Sequence, residues 1–143
     1  MAQKFVLNIP GKPIGKARPR VTRRGITYTP KPTAEREKLV RACFAEKYGG
    51  ETPLEGPISA SVIAVYPVPV SASAAKKREM YGGAVLPLTR PDVDNVAKLI
   101  LDALNGRAYI DDSQIVSLTV SKRYAGEGED AHTEVSIFPV GIS

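Results

Sequence analysis

The sequence predicts a single α/β domain of the α+β kind, a mixed β-sheet with helices packed on it. Three observations lead there. Strand-like apolar segments and segments of helical period follow one another in the order β-loop-α-β-(α)-α-β-β. The 143 residues suit one domain, taken as residues 1–143, and a chain of this size buries a sizeable core without disulfides or structural metal. Hydrophobic residues make up 43% and charged residues 24%, ordinary values for a globular protein, and neither an internal repeat nor a linker divides the chain.

Lys4-Phe5-Val6-Leu7-Asn8-Ile9 alternates as a strand should and is closed by Pro10-Gly11. Residues 10–32 hold seven Lys/Arg, no acid and repeated Pro and Gly, which predicts an extended basic loop or loose hairpin. Thr33 is a good N-cap, with Glu35 and Glu37 placed for the first turn of a helix. Leu39, Val40, Cys43, Phe44 and Tyr48 form its apolar stripe, and Gly49-Gly50 stops it. Residues 57–66 form the strongest strand candidate, leading into Pro67-Val68-Pro69. A short helix over 72–80, carrying Lys76, Lys77 and Arg78, precedes a loop at 81–91. The clearest helix runs from about Val93 to Leu104 and closes on Asn105-Gly106. Val116, Leu118 and Val120 then alternate with Ser117, Thr119 and Ser121, predicting a strand whose apolar face is buried. A polar turn at 125–130 and a strand from Glu134 to Phe138 complete the order.

Several classes are set aside by composition. No apolar run approaches the roughly 20 residues that cross a bilayer, so no membrane partner is expected. Met1 to Val6 leads into the first strand without the apolar region of a secretory signal. Cys43 alone cannot form an intramolecular disulfide, and a reducing, cytoplasmic location is expected. The net charge of +5 is unevenly spread: residues 1–50 carry 12 Lys/Arg against 3 Glu, while residues 51–143 carry 8 against 12 acids. Such segregation suits a protein with one surface for a polyanion and another that gathers carboxylates for a cation.

The acids concentrate in two places. In Thr89 to Gly106, Val96, Leu99, Ile100, Ala103 and Leu104 mark a buried helix face, while Asp94, Lys98 and Asp102 recur on the other side. Asp92 and Asp94 can project from the helix start, with Lys98 one turn beyond Asp94. Asp111-Asp112 stands just ahead of the alternating strand, and if that strand lies beside the helix the two acidic groups can meet. Converging carboxylates repel unless their pKa values rise or a divalent cation joins them. Without a Cys or His cluster, an all-oxygen site favours Mg²⁺ or Mn²⁺ over zinc, a chemistry suited to phosphodiester hydrolysis. Lys98 could then hold the scissile phosphate. Plainer readings stand beside these: Asp92 or Asp94 as helix caps worth about 1 kcal/mol, Lys98 as a solvated partner of Asp94 or Asp102, and Asp111-Asp112-Ser113 as a turn.

Asp92-x-Asp94-Asn95-x-x-Lys98, then Asp102-Ala103-Leu104 and Ile110-Asp111-Asp112-Ser113-Gln114-Ile115-Val116, resembles the signature of the RusA family of Holliday junction resolvases. Gly15-Lys16-Ala17-Arg18-Pro19-Arg20 and Tyr28-Thr29-Pro30 are similar to the N-terminal pattern of its phage and prophage members. The resemblance implies a two-fold homodimeric, Mg²⁺-dependent endonuclease that resolves four-way or otherwise branched DNA by paired nicks in recombination and repair. It implies Asp92, Asp94 and Asp112 as metal-binding catalytic carboxylates, Lys98 as the essential lysine, and Asp111 as an adjacent acid of less defined role. Two opposed cuts call for two active sites related by a two-fold axis.

Lys12, Lys16, Arg18, Arg20, Arg23, Arg24 and Lys31 are the expected phosphate contacts, gripping rather than reading DNA. Cys43 is expected in the core and His132 outside any catalytic role. Two other classes compete: a non-catalytic DNA-binding module whose acids are only caps, and a metal enzyme acting on small nucleotides. The second would need a phosphate-cradling Gly-x-x-x-x-Gly-Lys-Ser/Thr loop, which is missing, and no small organic cofactor is expected.

Overall fold

Period-2 alternation in the first strand does what it should: Phe5, Leu7 and Ile9 are buried while Val6, Asn8 and Pro10 face out. This strand, β1 (Phe5–Pro10), joins β4 (Ile58–Tyr66), β5 (Ile115–Tyr124) and β6 (His132–Pro139) in a four-stranded sheet ordered β1-β6-β4-β5. β4 pairs parallel with β5 and antiparallel with β6, and β1 pairs antiparallel with β6, giving the mixed sheet expected. The short strands β2 (Arg20–Val21) and β3 (Thr27–Tyr28) form a separate hairpin. The helices are α1 (Lys31–Tyr48), α2 (Ala74–Tyr81) and α3 (Val93–Leu104), and a single 3-10 turn spans Asp112–Gln114. The computed structural model describes residues 3–140; the remaining ends of the expected 1–143 unit, including Met1 and Ala2, lie outside the described residues. No helix among the described residues is long and apolar enough to cross a membrane.

α1 and α3 cover one face of the sheet. Val40 and Phe44 of α1 and Leu99, Ile100 and Leu104 of α3 close over Phe5, Leu7, Ile9, Ile58, Ala60, Val135 and Ile137. Each of the Val, Leu, Ile and Phe side chains contributes about 1.5–3 kcal/mol by leaving water. Phe5, Phe44 and Tyr48 meet edge-on or tilted with ring centroids 4.8–5.6 Å apart, and Cys43, expected in the core, is half-buried and packs against it. His132 is buried at the start of β6, its Nδ1 2.8 Å from the Asp130 carbonyl and its Nε2 3.3 Å from Glu134.

Three local expectations are corrected. Thr33 does not cap α1: the N-cap position lies three residues earlier, at Pro30, with Pro in the first turn. A proline there has no N–H to satisfy, so a side-chain cap is dispensable. Thr33 is instead buried, its Oγ1 accepting from the Ala17 N–H at 3.1 Å, and no acid lies in the first turn. The basic segment carries the hairpin expected as one alternative, β2 paired with β3, but its other half is not loose. Its first half is laid into the seam of α1 and α3, with Pro13 buried and Ile14 against the core. Arg36 of α1, buried despite its charge, closes the turn after β1 by donating to the carbonyls of Pro10 (2.6 Å) and Gly11 (3.4 Å). Finally, Val116 and Leu118 are exposed, at 63% and 46%. β5 is an edge strand, its pairing with β4 slips at Ile58/Ser59, and α3 reaches only as far as Val96 packing with Val120 and Tyr124.

Candidate active site

The apolar face read from the α3 sequence is the buried one: Val96, Leu99, Ile100, Ala103 and Leu104 all lie inside. That fixes the rotation of the helix and leaves Asp94 and Lys98 in solvent. Asp92 occupies the N-cap position in extended backbone, yet its carboxylate makes no capping hydrogen bond. The capping explanation therefore fails for Asp92. Both acids instead stand exposed at the positive end of the helix, where the dipole favours an anionic pair.

Three contacts hold this mouth in place. The Tyr66 hydroxyl, at the end of β4, donates to the Pro91 carbonyl at 2.6 Å, and Lys122 of β5 donates to the Thr89 carbonyl at 3.0 Å. The basic loop crosses directly above, where the Lys16 N–H donates to the Asn95 carbonyl at 2.8 Å. Gly15 makes the crossing feasible, because a Cβ there would lie 2.8 Å from Pro91 Cβ and 3.0 Å from Asn95 Cβ. Gly15, Lys16, Arg90, Pro91, Asp92 and Asn95 line a small open cavity of about 170 Å³. Burial, with a smaller push from Asp92, raises the Tyr66 phenol above its ordinary pKa, so it serves as a neutral donor. Gly15→Ala is expected to lower stability by about 1–3 kcal/mol through overpacking. Urea titration would check this; an unchanged midpoint would mean the loop does not rest on α3.

The second acidic group has its own scaffold. Asp111 caps the 3-10 turn by accepting from the Ser113 N–H at 3.1 Å, while Gln114 Oε1 accepts from the Asp111 N–H at 2.8 Å. The Gln114 amide then donates to the Leu54 and Gly56 carbonyls, both at 2.9 Å, tying the turn to the segment before β4. Hydrogen bonding with the Ser113 side chain and backbone holds the Asp111 carboxyl below its ordinary pKa. Asp112 follows it, exposed. Beneath lies Tyr109, fully buried, its hydroxyl donating to the Leu101 carbonyl. Burial raises its pKa, and Asp112, Asp102 and Asp111 add to the effect, which places these acids on the C-terminal half of α3.

The two groups thus sit at opposite ends of α3. Asp92 is by Tyr66 at the last residue of β4, whereas Asp112 precedes Ile115, which pairs with Ile58 at the first. Eight strand steps separate those ends, roughly 26 Å at the usual rise. Among the described residues, no three Asp, Glu, His or Cys side chains stand close enough to share a metal ion. The expected meeting of Asp111 or Asp112 with Asp92 and Asp94 does not occur within one chain. The helix itself intervenes: β5 runs parallel to β4, so the turn that starts β5 faces the wrong end of α3.

The cations also divide. Lys12, Arg18, Arg20, Arg23, Arg24 and Lys31 are exposed, with Arg23 and Arg24 in the β2–β3 turn. Lys16 is the exception. Its ammonium lies 3.0 Å from Glu37 and 3.4 Å from Asp102, with only 18% of its side chain exposed, so it bridges α1 and α3. Lys98 approaches Asp102 only at 3.9 Å with 62% exposure, leaving its charge available. Sequence reasoning quoted Gln114 and Gly15 within motifs but gave neither a positioning role, and it missed Tyr109 and Tyr66 as residues that position the acids. The Gln114 amide in a capping-box position was the one local signal available.

Exposed, uncapped carboxylates at a helix mouth crossed by a basic loop are compatible with phosphodiester hydrolysis, and the comparison with known families assigns the class. A family model described as "Endodeoxyribonuclease RusA" matches residues 10–137. The chain belongs to the RusA family, endodeoxyribonucleases of the Holliday junction resolvase type, as its motifs suggested. It is also 39% identical over 131 residues to "Uncharacterized protein YqaN" of Bacillus subtilis (strain 168), covering 89% of this chain and 90% of that relative.

Proposed function

We propose that this chain is a Mg²⁺-dependent, structure-selective endodeoxyribonuclease, with Mn²⁺ able to substitute, that resolves four-way junctions by paired symmetric nicks as a two-fold homodimer. Its place would be in DNA recombination and repair. The observation that carries the reading is the exposed, uncapped Asp92–Asp94 pair at the mouth of α3 in a chain of the RusA family. These oxygens fit a hard divalent cation and offer no ligand for a soft one.

Because Asp112 lies at the far end of α3, we further read each active site as composite: Asp92 and Asp94 of one protomer joined by Asp112 of its partner. A two-fold axis that runs one α3 past the other does this twice, and the site stays incomplete in a monomer. Bound there, Mg²⁺ supplies Lewis-acid polarisation of the phosphate and lowers the pKa of the attacking water. The chain's own residues do the rest. Asp92 and Asp94 hold two fixed negative charges at the helix dipole, Lys98 steadies the scissile phosphate four residues past Asp94, and Asp111 with Gln114 sets the turn that aims Asp112.

The deciding assay compares a four-way junction, a fork and linear duplex in Mg²⁺, Ca²⁺ and chelator. Paired nicks confined to the branched substrates and lost in chelator support the reading; cleavage of free nucleotides with intact DNA would favour small-molecule chemistry. Junction binding in Ca²⁺ should also fall steeply with salt. With the six exposed cations Lys12, Arg18, Arg20, Arg23, Arg24 and Lys31 in contact, each protomer contributes roughly −5 to the slope of log affinity against log salt. A slope near zero would mean this surface does not meet the phosphates.

A further inference from the structure

Between β4 and α3 the chain makes a long excursion, residues 67–91, that the motifs do not account for. At its centre, α2 (Ala74–Tyr81) buries none of its residues. Its inner face, Lys77, Met80 and Tyr81, is only half-buried, so the helix gains little from packing, and isolated helices this short are marginal in water. It is held by its own ends: the Ser73 hydroxyl accepts from the Lys76 N–H at 3.2 Å, and the Gly82 and Ala84 N–H groups return to the carbonyls of Arg78 and Glu79, both at 3.0 Å. Pro87 is buried and anchors the returning chain, while Lys76, Arg78 and Glu79 on the helix stay in solvent.

Its chemistry says what kind of partner fits. Lys76, Lys77, Arg78 and Arg90 face a single acid, Glu79, across the whole excursion, and Lys76 and Arg78 are exposed with no ion pair among the described residues. Its location says where. The excursion leaves from Tyr66 and returns at Pro91, and those two residues are hydrogen-bonded to each other, so both roots of the arm stand beside Asp92. Lys122 pins the returning strand at Thr89. Val70 and Leu88, more than nine-tenths exposed, lie on either side of the helix along the same arm.

We propose that residues 67–91 form a clamp that grips the phosphate backbone of the branched substrate next to the cleavage site, with Lys76 and Arg78 as its phosphate contacts. This rests on the nuclease reading above. It adds a second cationic surface, separate from the N-terminal basic loop, that holds the strand beyond Asp92.

The test is junction binding in Ca²⁺ by Lys76→Gln/Arg78→Gln, over a salt series, alongside sedimentation of the free protein and cleavage in Mg²⁺. Two lost phosphate contacts should lower the magnitude of the salt slope by about 1.8 for each protomer bound and weaken binding roughly tenfold or more at moderate salt. Oligomeric mass should stay that of the wild type. Because neither side chain is buried, loss of fold is not expected, and circular dichroism of the variant checks it. An unchanged slope and affinity in a variant derived from a wild type that binds and cuts would overturn the clamp while leaving the nuclease reading intact. A shift in oligomeric mass at unchanged DNA affinity would overturn it in favour of a protein contact. A wild type that binds no branched DNA overturns both.

Discussion

Asp94→Asn is expected to abolish cleavage of a four-way junction while leaving junction binding intact or slightly tighter. The substitution keeps shape and removes one charge at an exposed position where the carboxylate makes no structural hydrogen bond among the described residues, so the fold has no reason to change. Outer-shell partners of metal ligands alone typically contribute about 10–100-fold, so loss of a direct ligand should exceed the upper figure. Binding has the opposite sensitivity: removing a negative charge near the phosphates reduces repulsion. Asp111→Asn supplies the contrast. Asp111 acts as a cap through one oxygen on the Ser113 N–H, and an Asn side-chain oxygen can still accept that bond. Its cleavage should stay within about tenfold of the wild type. Gel assays in Mg²⁺ for cutting and in Ca²⁺ for binding separate the two. Full cleavage by the Asp94 variant would end the catalytic reading, and parallel loss of binding and cutting would reduce the acids to scaffolding.

Mixing two inactive variants should restore activity. If Asp112 serves the partner's Asp92 and Asp94, a dimer of one Asp94→Asn chain and one Asp112→Asn chain carries both lesions in one site and none in the other. Random pairing makes about half of all dimers mixed, so roughly a quarter of the wild-type sites return. Those sites should make single nicks, since each mixed dimer can cut only one strand. Co-expression with two affinity tags isolates the mixed species and sharpens the result to one live site per dimer. The alternative has a clean signature: were each site built within one chain, both sites of the mixed dimer would be damaged and the mixture would be as inactive as its parents. The structural motive is the separation of the acids along α3, roughly 26 Å by strand rise between the β4 ends they adjoin.

Much of the fold was readable because its signals are local. The α3 stripe of Val96, Leu99, Ile100, Ala103 and Leu104 can only be satisfied by one rotation of a helix, and the burial follows it. β1 alternates and buries alternate residues. The misreadings share a cause. Thr33 looks like a cap until Pro30 and Pro32 remove the need for one, and its hydroxyl is then used by a loop sixteen residues upstream. Val116 and Leu118 alternate as buried residues would, but an edge position and a slip in register leave them in water. Lys16 reads as one cation among seven until Glu37 and Asp102 close on it from two helices.

The sequence by itself determined the element order, the basic and acidic halves, the carboxylates and the family signature, because periodicity, charge and motif spacing are properties of neighbours along the chain. Only the tertiary structure decided which of those groups share a place. Strand direction does this: with β5 parallel to β4, the turn bearing Asp112 is carried to the end of α3 away from Asp92 and Asp94. The same long-range packing made Lys16 a strut, freed Asp92 from capping, and brought both roots of the 67–91 excursion beside Asp92. Such outcomes depend on contacts between residues tens of positions apart, and no local pattern encodes them.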